Sequence, residues 1–346
     1  MHCSTVVFCT LFYTFSCNFI FTKIPIFKIP LYLLLLNSKN IAAVETMQLT
    51  KSQSTNPSSP ACGKICSYEW DSIEDGKYYP LLHKAVNCSN TFQRMAYSPY
   101  PVVLPPPRRP PTDLIREFTV DGKCPITHFR YFDESSGSKE SGTQRRVDAK
   151  RFNILLKRDK MTNINSYRDK NVLKPALIKH KSLIQGKCVA VVGTQIPWAE
   201  AIMVNLGASS VTTIEYANLV IEHHIVTTVT PYRLAERLTR GEAVPFDTVF
   251  SYSSIEHSGL GRYGDPLSPF GDLEASAQVW CMVKPGGHFI LAVPVSKDRH
   301  RCLVKWNAQR VYGFVRLQHL TANWRVLEEF ETLDSGGHRI YVMQKV

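Results

Sequence analysis

The chain has 346 residues, of which 44% are hydrophobic and 20% are charged. This composition excludes a largely disordered or fibrous protein, and the length leaves room for one large or two modest domains. The formal net charge is +12, yet residues 186–346 carry 15 basic and 15 acidic side chains. Nucleic-acid-binding proteins usually have a strongly basic surface, and this balance of charge does not provide one in the C-terminal half. We therefore expect no nucleic-acid partner.

The N-terminal region, residues 1–36, is predicted to be a signal anchor or a signal-like apolar segment. Residues 3–22 carry no charged side chain, and about 20 residues suffice for a helix to cross the bilayer core. We therefore expect a single-pass membrane anchor, unless the chain starts at Met47. The orientation stays open. The lysines that follow the span favour the cytosol, whereas the sequon Asn87-Cys88-Ser89 and the mid-chain cysteines favour the lumen of the endoplasmic reticulum or Golgi.

Residues 37–150 form a second region, predicted to be an arm or linker that is rich in serine and proline. It holds four of the ten cysteines, Cys62, Cys66, Cys88 and Cys124. Three states stay open for them: two disulfides among the four, free thiols, or a metal site. The later cysteines have apolar or mixed neighbours, so we expect them to pack as small hydrophobic side chains; they are Cys188, Cys281 and Cys302.

The third region, residues 151–346, alternates predicted strands and helices after a basic helical lead-in that ends near residue 184. This alternation is typical of a doubly wound, mostly parallel, Rossmann-like α/β sheet. Two closing strands around a Gly-Gly turn predict an antiparallel C-terminal hairpin. The predicted strands are 189–192, 211–214, 225–229, 248–252, 289–293, 325–330 and 339–343. The predicted helices are 198–206, 231–240, 273–283 and 308–320.

Ligands of such sheets bind beyond the C-terminal ends of the strands. The turn after the first strand begins at Gly193 and leads into a helix, so its backbone N–H groups suit an anionic or zwitterionic ligand. Glu215 ends the second strand, 22 positions after Gly193, and this spacing is typical of a carboxylate that binds the ribose hydroxyls of a nucleoside cofactor. Because Gln195 and Pro197 stand where a pyrophosphate-binding turn repeats glycine, we expect a cofactor without a pyrophosphate.

The loop at residues 256–272 follows the fourth strand and is too rich in glycine and proline for a helix. Three of its side chains are the predicted catalytic residues. His257 is a candidate general base, Asp265 would orient it or bind substrate, and Arg262 would clamp an anionic group. The alternative is that Glu256 and His257 cap the strand while Arg262 and Asp265 form a structural ion pair.

Four motifs of this region resemble those of class I S-adenosylmethionine-dependent methyltransferases. They are residues 189–193, 213–216, 246–257 and 283–291, and the terminal hairpin resembles that family's reversed last strand. Further stretches are similar to a nematode-rich family of uncharacterised proteins with a methyltransferase-like fold; they are residues 197–200, 256–266 and 310–317. Two features depart from the methyltransferase pattern: the first motif keeps a single glycine, and no acidic residue follows the third strand.

The resemblance implies S-adenosylmethionine as cofactor and a methyltransferase that acts on a small-molecule or glycan-type acceptor. Two alternatives stay open: a non-catalytic binding protein with this fold (a pseudoenzyme), and a secretory-pathway sugar transferase. We expect no metal site, and nothing in the sequence indicates the oligomeric state. The residues assigned to cofactor binding are Gly193, Gln195, Trp198, Glu215, Tyr216 and Ser253.

Overall fold

The computed structural model describes residues 88–89, 91–92, 105–127, 130–135, 144–158, 170–331 and 337–346. The predicted anchor, residues 1–36, lies outside these ranges. Within them, no helix is both long enough and apolar enough to cross a membrane.

The strands of the described residues are short, except for three at the C-terminal end of the chain. They are β1 (Ile126–Thr127), β2 (Arg145–Val147), β3 (Cys188–Val192), β4 (Ser210–Ile214), β5 (Leu219–Ile221), β6 (Val226–Val229), β7 (Phe246–Tyr252), β8 (Val283–Pro294), β9 (Leu303–Lys305), β10 (Gln309–Val311), β11 (Trp324–Glu331) and β12 (His338–Lys345).

The main sheet of the described residues has seven strands in the order β11-β12-β8-β7-β3-β4-β6. Neighbours from β6 to β8 run parallel, whereas β12 is antiparallel to β8 and β11 is antiparallel to β12. The central strand β3 is apolar and buried along nearly its whole length, as expected for a parallel strand covered on both faces. The prediction of a mostly parallel sheet with an antiparallel C-terminal hairpin is confirmed.

Helices cover both faces of this sheet. One face packs against the helices that carry Phe152, Leu173 and Ile202, and the other against those that carry Leu234 and Leu273. The α-helices of the described residues from 105 onward are α1 (Ile115–Thr119), α2 (Ala149–Arg158), α3 (Lys170–Lys179), α4 (Trp198–Asn205), α5 (Pro231–Thr239), α6 (Gly271–Met282) and α7 (Phe314–Leu320).

The helix ends follow the local signals in the sequence. Pro231 occupies the first turn of α5, where its missing N–H is not needed, and the Thr230 hydroxyl accepts the Arg233 N–H. Gly241 follows the last turn of α5 with a φ of +70°. α4 begins directly after Pro197. The helices predicted to follow the first and third predicted strands are therefore confirmed.

The prediction of a continuous helix over residues 308–320 is wrong. The chain first forms β10, which pairs antiparallel with β9, and only then enters α7. Arg310 in β10 is buried, and its guanidinium donates to the carbonyl oxygens of Ser258 and Ser268 in the loop after β7. Gly313 separates strand from helix at a crowded point, since a β-carbon there would lie 2.6 Å from the Arg301 carbonyl carbon. The hydrogen bonds between buried Arg310 and these carbonyl oxygens hold β10 in an extended conformation. The spacing of apolar residues in the sequence does not indicate this strand.

The described part of the arm contains strands that the sequence does not predict. Residues 126–127 form β1, which pairs with β9 in a three-stranded sheet, and residues 145–147 form β2, which pairs with β5. Two disulfides between described residues join the arm to the α/β domain, Cys88–Cys281 and Cys124–Cys302.

These bonds correct the prediction for the cysteines. Disulfides do form, but Cys88 and Cys124 pair with later cysteines and not with other cysteines of the arm. Cys188 is disulfide-bonded as well, so none of the three later cysteines is merely a small apolar side chain, although all three are buried. The sequence could not show this pairing because the partners are separated by 193 and 178 positions along the chain.

Candidate active site

A cavity of about 350 Å³ opens at the C-terminal ends of β3, β4 and β7. This is the edge where doubly wound sheets bind their ligands. All nine residues predicted for catalysis or cofactor binding line it, which brings distant parts of the sequence to one place. They are Gly193, Gln195, Trp198, Glu215, Tyr216, Ser253, His257, Arg262 and Asp265. Their individual roles remain predictions.

Gly193 begins the turn between β3 and α4 with a φ of +76°, a backbone conformation that favours glycine. A β-carbon at this position would lie 2.7 Å from the β-carbon of Ser254 and would collide with the Ser254 hydroxyl. The turn and the end of β7 therefore touch because residue 193 has no side chain.

Glu215 lies beside this turn at the end of β4. Its carboxylate accepts the Thr194 N–H at 2.7 Å and the Tyr216 N–H at 2.8 Å. Burial raises the pKa of the Glu215 carboxyl, while these backbone bonds and the charge of Arg145 oppose the rise. The carboxylate is thus held by the first turn itself, and Glu215 lines the cavity.

A second buried carboxyl, Glu200, lies beneath the same turn on α4. The Thr213 hydroxyl donates to it at 2.8 Å, and the Thr194 hydroxyl lies 3.4 Å away. Burial raises the pKa of Glu200 to about 7, and the nearby charge of Glu215 adds to the rise. Near neutral pH the protonation of Glu200 therefore changes directly under the predicted cofactor turn.

His257 lies in a short 3-10 helix after β7 and is almost fully buried. Its Nδ1 hydrogen-bonds the Ala308 carbonyl oxygen. Because a carbonyl oxygen only accepts, Nδ1 carries a proton, and in the neutral imidazole Nε2 has the lone pair. Nε2 lies 3.7 Å from the buried carboxylate of Glu256.

Asp265 does not hold His257 in this structure. Its carboxylate accepts the N–H groups of Gly259 at 2.7 Å, Gly261 at 3.0 Å and Tyr263 at 3.2 Å. Asp265 thus organises the loop around itself, and the Ala308 carbonyl orients the imidazole instead. Arg262 forms its ion pair with Glu134, whose carboxylate lies 2.7 Å from the guanidinium, and not with Asp265.

As well as Glu200, sequence analysis missed Glu134, which contacts two side chains that line the cavity. It belongs to residues 130–135 of the arm, here called the strap, which run along the loop after β7. The backbone N–H of Glu134 donates to the Arg262 carbonyl at 2.8 Å. Its carboxylate accepts from both Arg262 and the side-chain amide of Gln195. No local pattern marks Glu134, because only the tertiary packing of the arm brings it to the cavity.

The aromatic wall of the cavity is formed mainly by Trp198 and Tyr252, whose rings meet edge to face at 5.3 Å. Trp198 is also buried against Phe250 in the core, so it serves both the core and the cavity. Among the described residues, no group of three or more histidine, cysteine, aspartate or glutamate side chains is arranged to hold a metal ion.

Residues 186–341 match the model of a family described as "Caenorhabditis protein of unknown function, DUF268". This match confirms the predicted resemblance to a nematode-rich family over the region that carries most of the cavity. The reversed last strand confirms the methyltransferase-like fold predicted for it. A comparison with curated proteins gave no match.

Solved structures of methyltransferases are similar to this chain at low identity. An S-adenosylmethionine-dependent methyltransferase from Mesorhizobium loti is 12% identical, with a TM-score of 0.37, over 52% of this chain and 99% of that protein. The N-methyltransferase NodS from Bradyrhizobium japonicum, in complex with S-adenosyl-L-homocysteine, is 11% identical, with a TM-score of 0.34, over 56% and 97% of the two chains. The likeness concerns the fold alone.

Proposed function

We propose that this chain is an S-adenosylmethionine-dependent methyltransferase that acts on a small-molecule or glycan-type acceptor. The observation that carries the proposal is the position of Glu215, whose carboxylate is held by the Gly193 turn and lines the cavity at the C-terminal edge of the sheet. A carboxylate at this position suits the two ribose hydroxyls of a nucleoside.

The residues present fit this cofactor. Each carboxylate oxygen of Glu215 has two lone pairs, and Oε2 accepts the Thr194 N–H. Gly193 and Trp198 line the same cavity, where Trp198 supplies an apolar wall. The volume of about 350 Å³ lies within the range of small-molecule pockets, about 300–1,000 Å³.

When bound, S-adenosylmethionine would supply an electrophilic methyl group. The chain's own part in the reaction is to position the acceptor and to take up the proton that a hydroxyl or amine loses on methylation. His257 suits this second task because its Nδ1 proton is committed to Ala308, which leaves Nε2 as the proton acceptor. Glu256, 3.7 Å from Nε2, would stabilise the imidazolium that results.

We also propose that the domain lies on the lumenal side of the membrane, anchored through residues 1–36. The two disulfides between arm and domain support this placement, because such bonds persist in oxidising compartments and are rare in the cytosol. A glycan-type acceptor would be available there.

One observation favours the alternative of a non-catalytic binding protein. Glu215 and Asp265, the acidic groups of the cavity, both accept backbone N–H groups of their own turns. Carboxylates used in this way stabilise loops whether or not a cofactor binds. Under this alternative the cavity would bind a ligand without transferring a methyl group.

Calorimetric titration of the folded chain with S-adenosylmethionine, and separately with S-adenosylhomocysteine, tests the proposal. We expect micromolar binding that Glu215→Ala weakens at least about tenfold, since charge-assisted hydrogen bonds contribute about 1.5–3 kcal/mol each. Glu242→Ala is the matched control, because Glu242 is exposed and away from the cavity. Absence of binding to the folded chain would favour the non-catalytic alternative, and metal-dependent binding of a nucleotide sugar would favour a sugar transferase.

A further inference from the structure

Arg262 has a buried donor that the protein does not use. Its side chain is 15% exposed and lines the cavity. The Nε–H group is buried and has no hydrogen-bond partner in the structure. A buried donor without a partner costs about 1–3 kcal/mol, so its retention beside a cavity points to a ligand atom that satisfies it.

The guanidinium of Arg262 is held in a fixed orientation by two aromatic rings. Its central carbon lies 4.1 Å from the centre of the Phe132 ring and 4.8 Å from that of the Tyr263 ring. Phe132 belongs to the strap, and its own N–H donates to the Asn307 side chain at 2.6 Å. Arg262 is therefore preorganised before any ligand arrives, which lowers the entropic cost of binding.

Glu134 uses only part of what Arg262 offers. The Nε–H and Nη2–H groups of an arginine lie side by side and together match the two oxygens of a carboxylate. Glu134 places one oxygen 2.7 Å from Nη2 and gives its other oxygen to Gln195, so the pairing with Arg262 is not bidentate. Glu134 of the strap thus occupies one of the two adjacent donors of Arg262, Nη2–H, and leaves Nε–H without a partner.

We propose that Arg262 binds a carboxylate group of the ligand that enters the cavity, and that Glu134 occupies this subsite in the free chain. An incoming carboxylate takes both Nε–H and Nη2–H, and Glu134 keeps its contact with Gln195 or turns to solvent, which its 34% exposed side chain permits. The ligand class is an acidic acceptor such as a uronic acid. Assigning the carboxylate to the methyl acceptor rests on the proposed function.

A titration with D-glucuronate, monitored by ligand-observed NMR, tests this subsite without any cofactor. D-glucose, which has the same sugar ring without the carboxylate, is the neutral control ligand. We expect glucuronate to bind and glucose not to. Glu134→Gln should tighten glucuronate binding about tenfold, because it removes the internal competitor and its charge. Arg262→Gln should weaken it at least about tenfold.

The variants are read against two controls. Arg299→Gln removes an exposed arginine that pairs with Glu331 and should leave glucuronate binding unchanged. Arg262→Lys keeps the positive charge but lacks the paired Nε–H and Nη2–H donors, so it should also weaken glucuronate binding. It serves as a second variant in case Arg262→Gln does not fold. Equal binding of glucose and glucuronate, or no binding of glucuronate to Glu134→Gln, would overturn the inference.

Titration of the same samples with S-adenosylmethionine separates the two proposals. Cofactor binding without glucuronate binding leaves the methyltransferase proposal intact and overturns the carboxylate subsite. Glucuronate binding that depends on Arg262, in a chain that binds no cofactor, supports the subsite and overturns methyl transfer.

Discussion

At the scale of single residues, the first turn depends on the lack of a side chain at Gly193. Gly193→Ala should lower the free energy of unfolding and weaken cofactor binding, because alanine is strained at a φ of +76° and its methyl group would collide with Ser254. Gly286→Ala is the matched control, since Gly286 has a φ of +71° but open space around it.

We expect Gly286→Ala to cost about 1 kcal/mol from backbone strain alone, and Gly193→Ala to cost clearly more. Urea unfolding of both variants measures the difference. Equal losses would show that the contact with Ser254 is unimportant.

Glu200 makes stability depend on pH. Its pKa is raised to about 7 in the folded chain, whereas an unfolded glutamate ionises near 4.5. Below pH 4.5 both states are protonated and Glu200 costs nothing. As pH rises from 4.5 to 7 the unfolded state ionises first, so the folded state loses stability, and above 7 the loss is constant.

Glu200→Gln should therefore stabilise the fold by up to about 3 kcal/mol at pH 8 and have little effect at pH 4. Urea unfolding at both pH values, with the exposed Glu242→Gln as control, checks this. A gain of the same size at both pH values would mean that ionisation of Glu200 is not the cause.

At the scale of elements, the first turn of α6 is joined to β10 and α7 by one buried carboxylate. Asp272 accepts from Arg316 and from the Tyr312 hydroxyl at 2.9 Å, and Arg310 lies 3.6 Å away. Burial opposes ionisation, but the charges of Arg310 and Arg316 outweigh it and hold the pKa of Asp272 at about 2.

Asp272→Asn should destabilise the fold by about 3–5 kcal/mol, because it leaves two buried guanidinium groups without their counter-charge. The wild-type contribution should be complete above pH 3.8 and be lost as pH falls toward 2. Asp298→Asn, which breaks an exposed pair with Arg301, should change stability by less than about 0.5 kcal/mol. Similar losses in the two variants, measured by urea unfolding, would contradict the role of Asp272.

The seven strands of the main sheet were predictable because each carries its own signal. Parallel strands such as β3 are short apolar runs, and helices such as α5 begin at proline and end before glycine. β10 was missed because Arg310 is a charged residue in a buried strand, and its partners lie in a loop far away in the sequence. β1 was missed because its pairing with β9 spans most of the domain.

At the scale of the whole molecule, the cavity was predictable where the topology brings strand ends together. Gly193, Glu215 and Ser253 follow different strands, and the parallel sheet places all three at one edge. The contacts of Glu134 and the pairing of the cysteines were not predictable, since no periodic pattern in the sequence indicates how the arm packs on the domain. Local patterns therefore predict the site residues at the strand ends but not the contacts that the arm adds.

The disulfides should contribute strongly to the stability of the whole molecule. Replacing both Cys124 and Cys302 by serine should lower the free energy of unfolding by about 2–5 kcal/mol, because the bond closes a long loop. In urea unfolding, the free energy of unfolding of this variant should be lower than that of the wild type. Treating the wild type with a reductant should lower it as well. An unchanged midpoint in a sample whose thiols are shown to be free would argue against this contribution.

The two bonds between arm and domain also decide what a protease can do to this molecule. A single cut anywhere between Cys124 and Cys281 leaves an N-terminal fragment with Cys88 and Cys124 and a C-terminal fragment with Cys281 and Cys302. Both linkages then join the two fragments covalently, so neither fragment is released. The chain can thus be processed into a two-chain protein without losing the part of the arm that borders its ligand site.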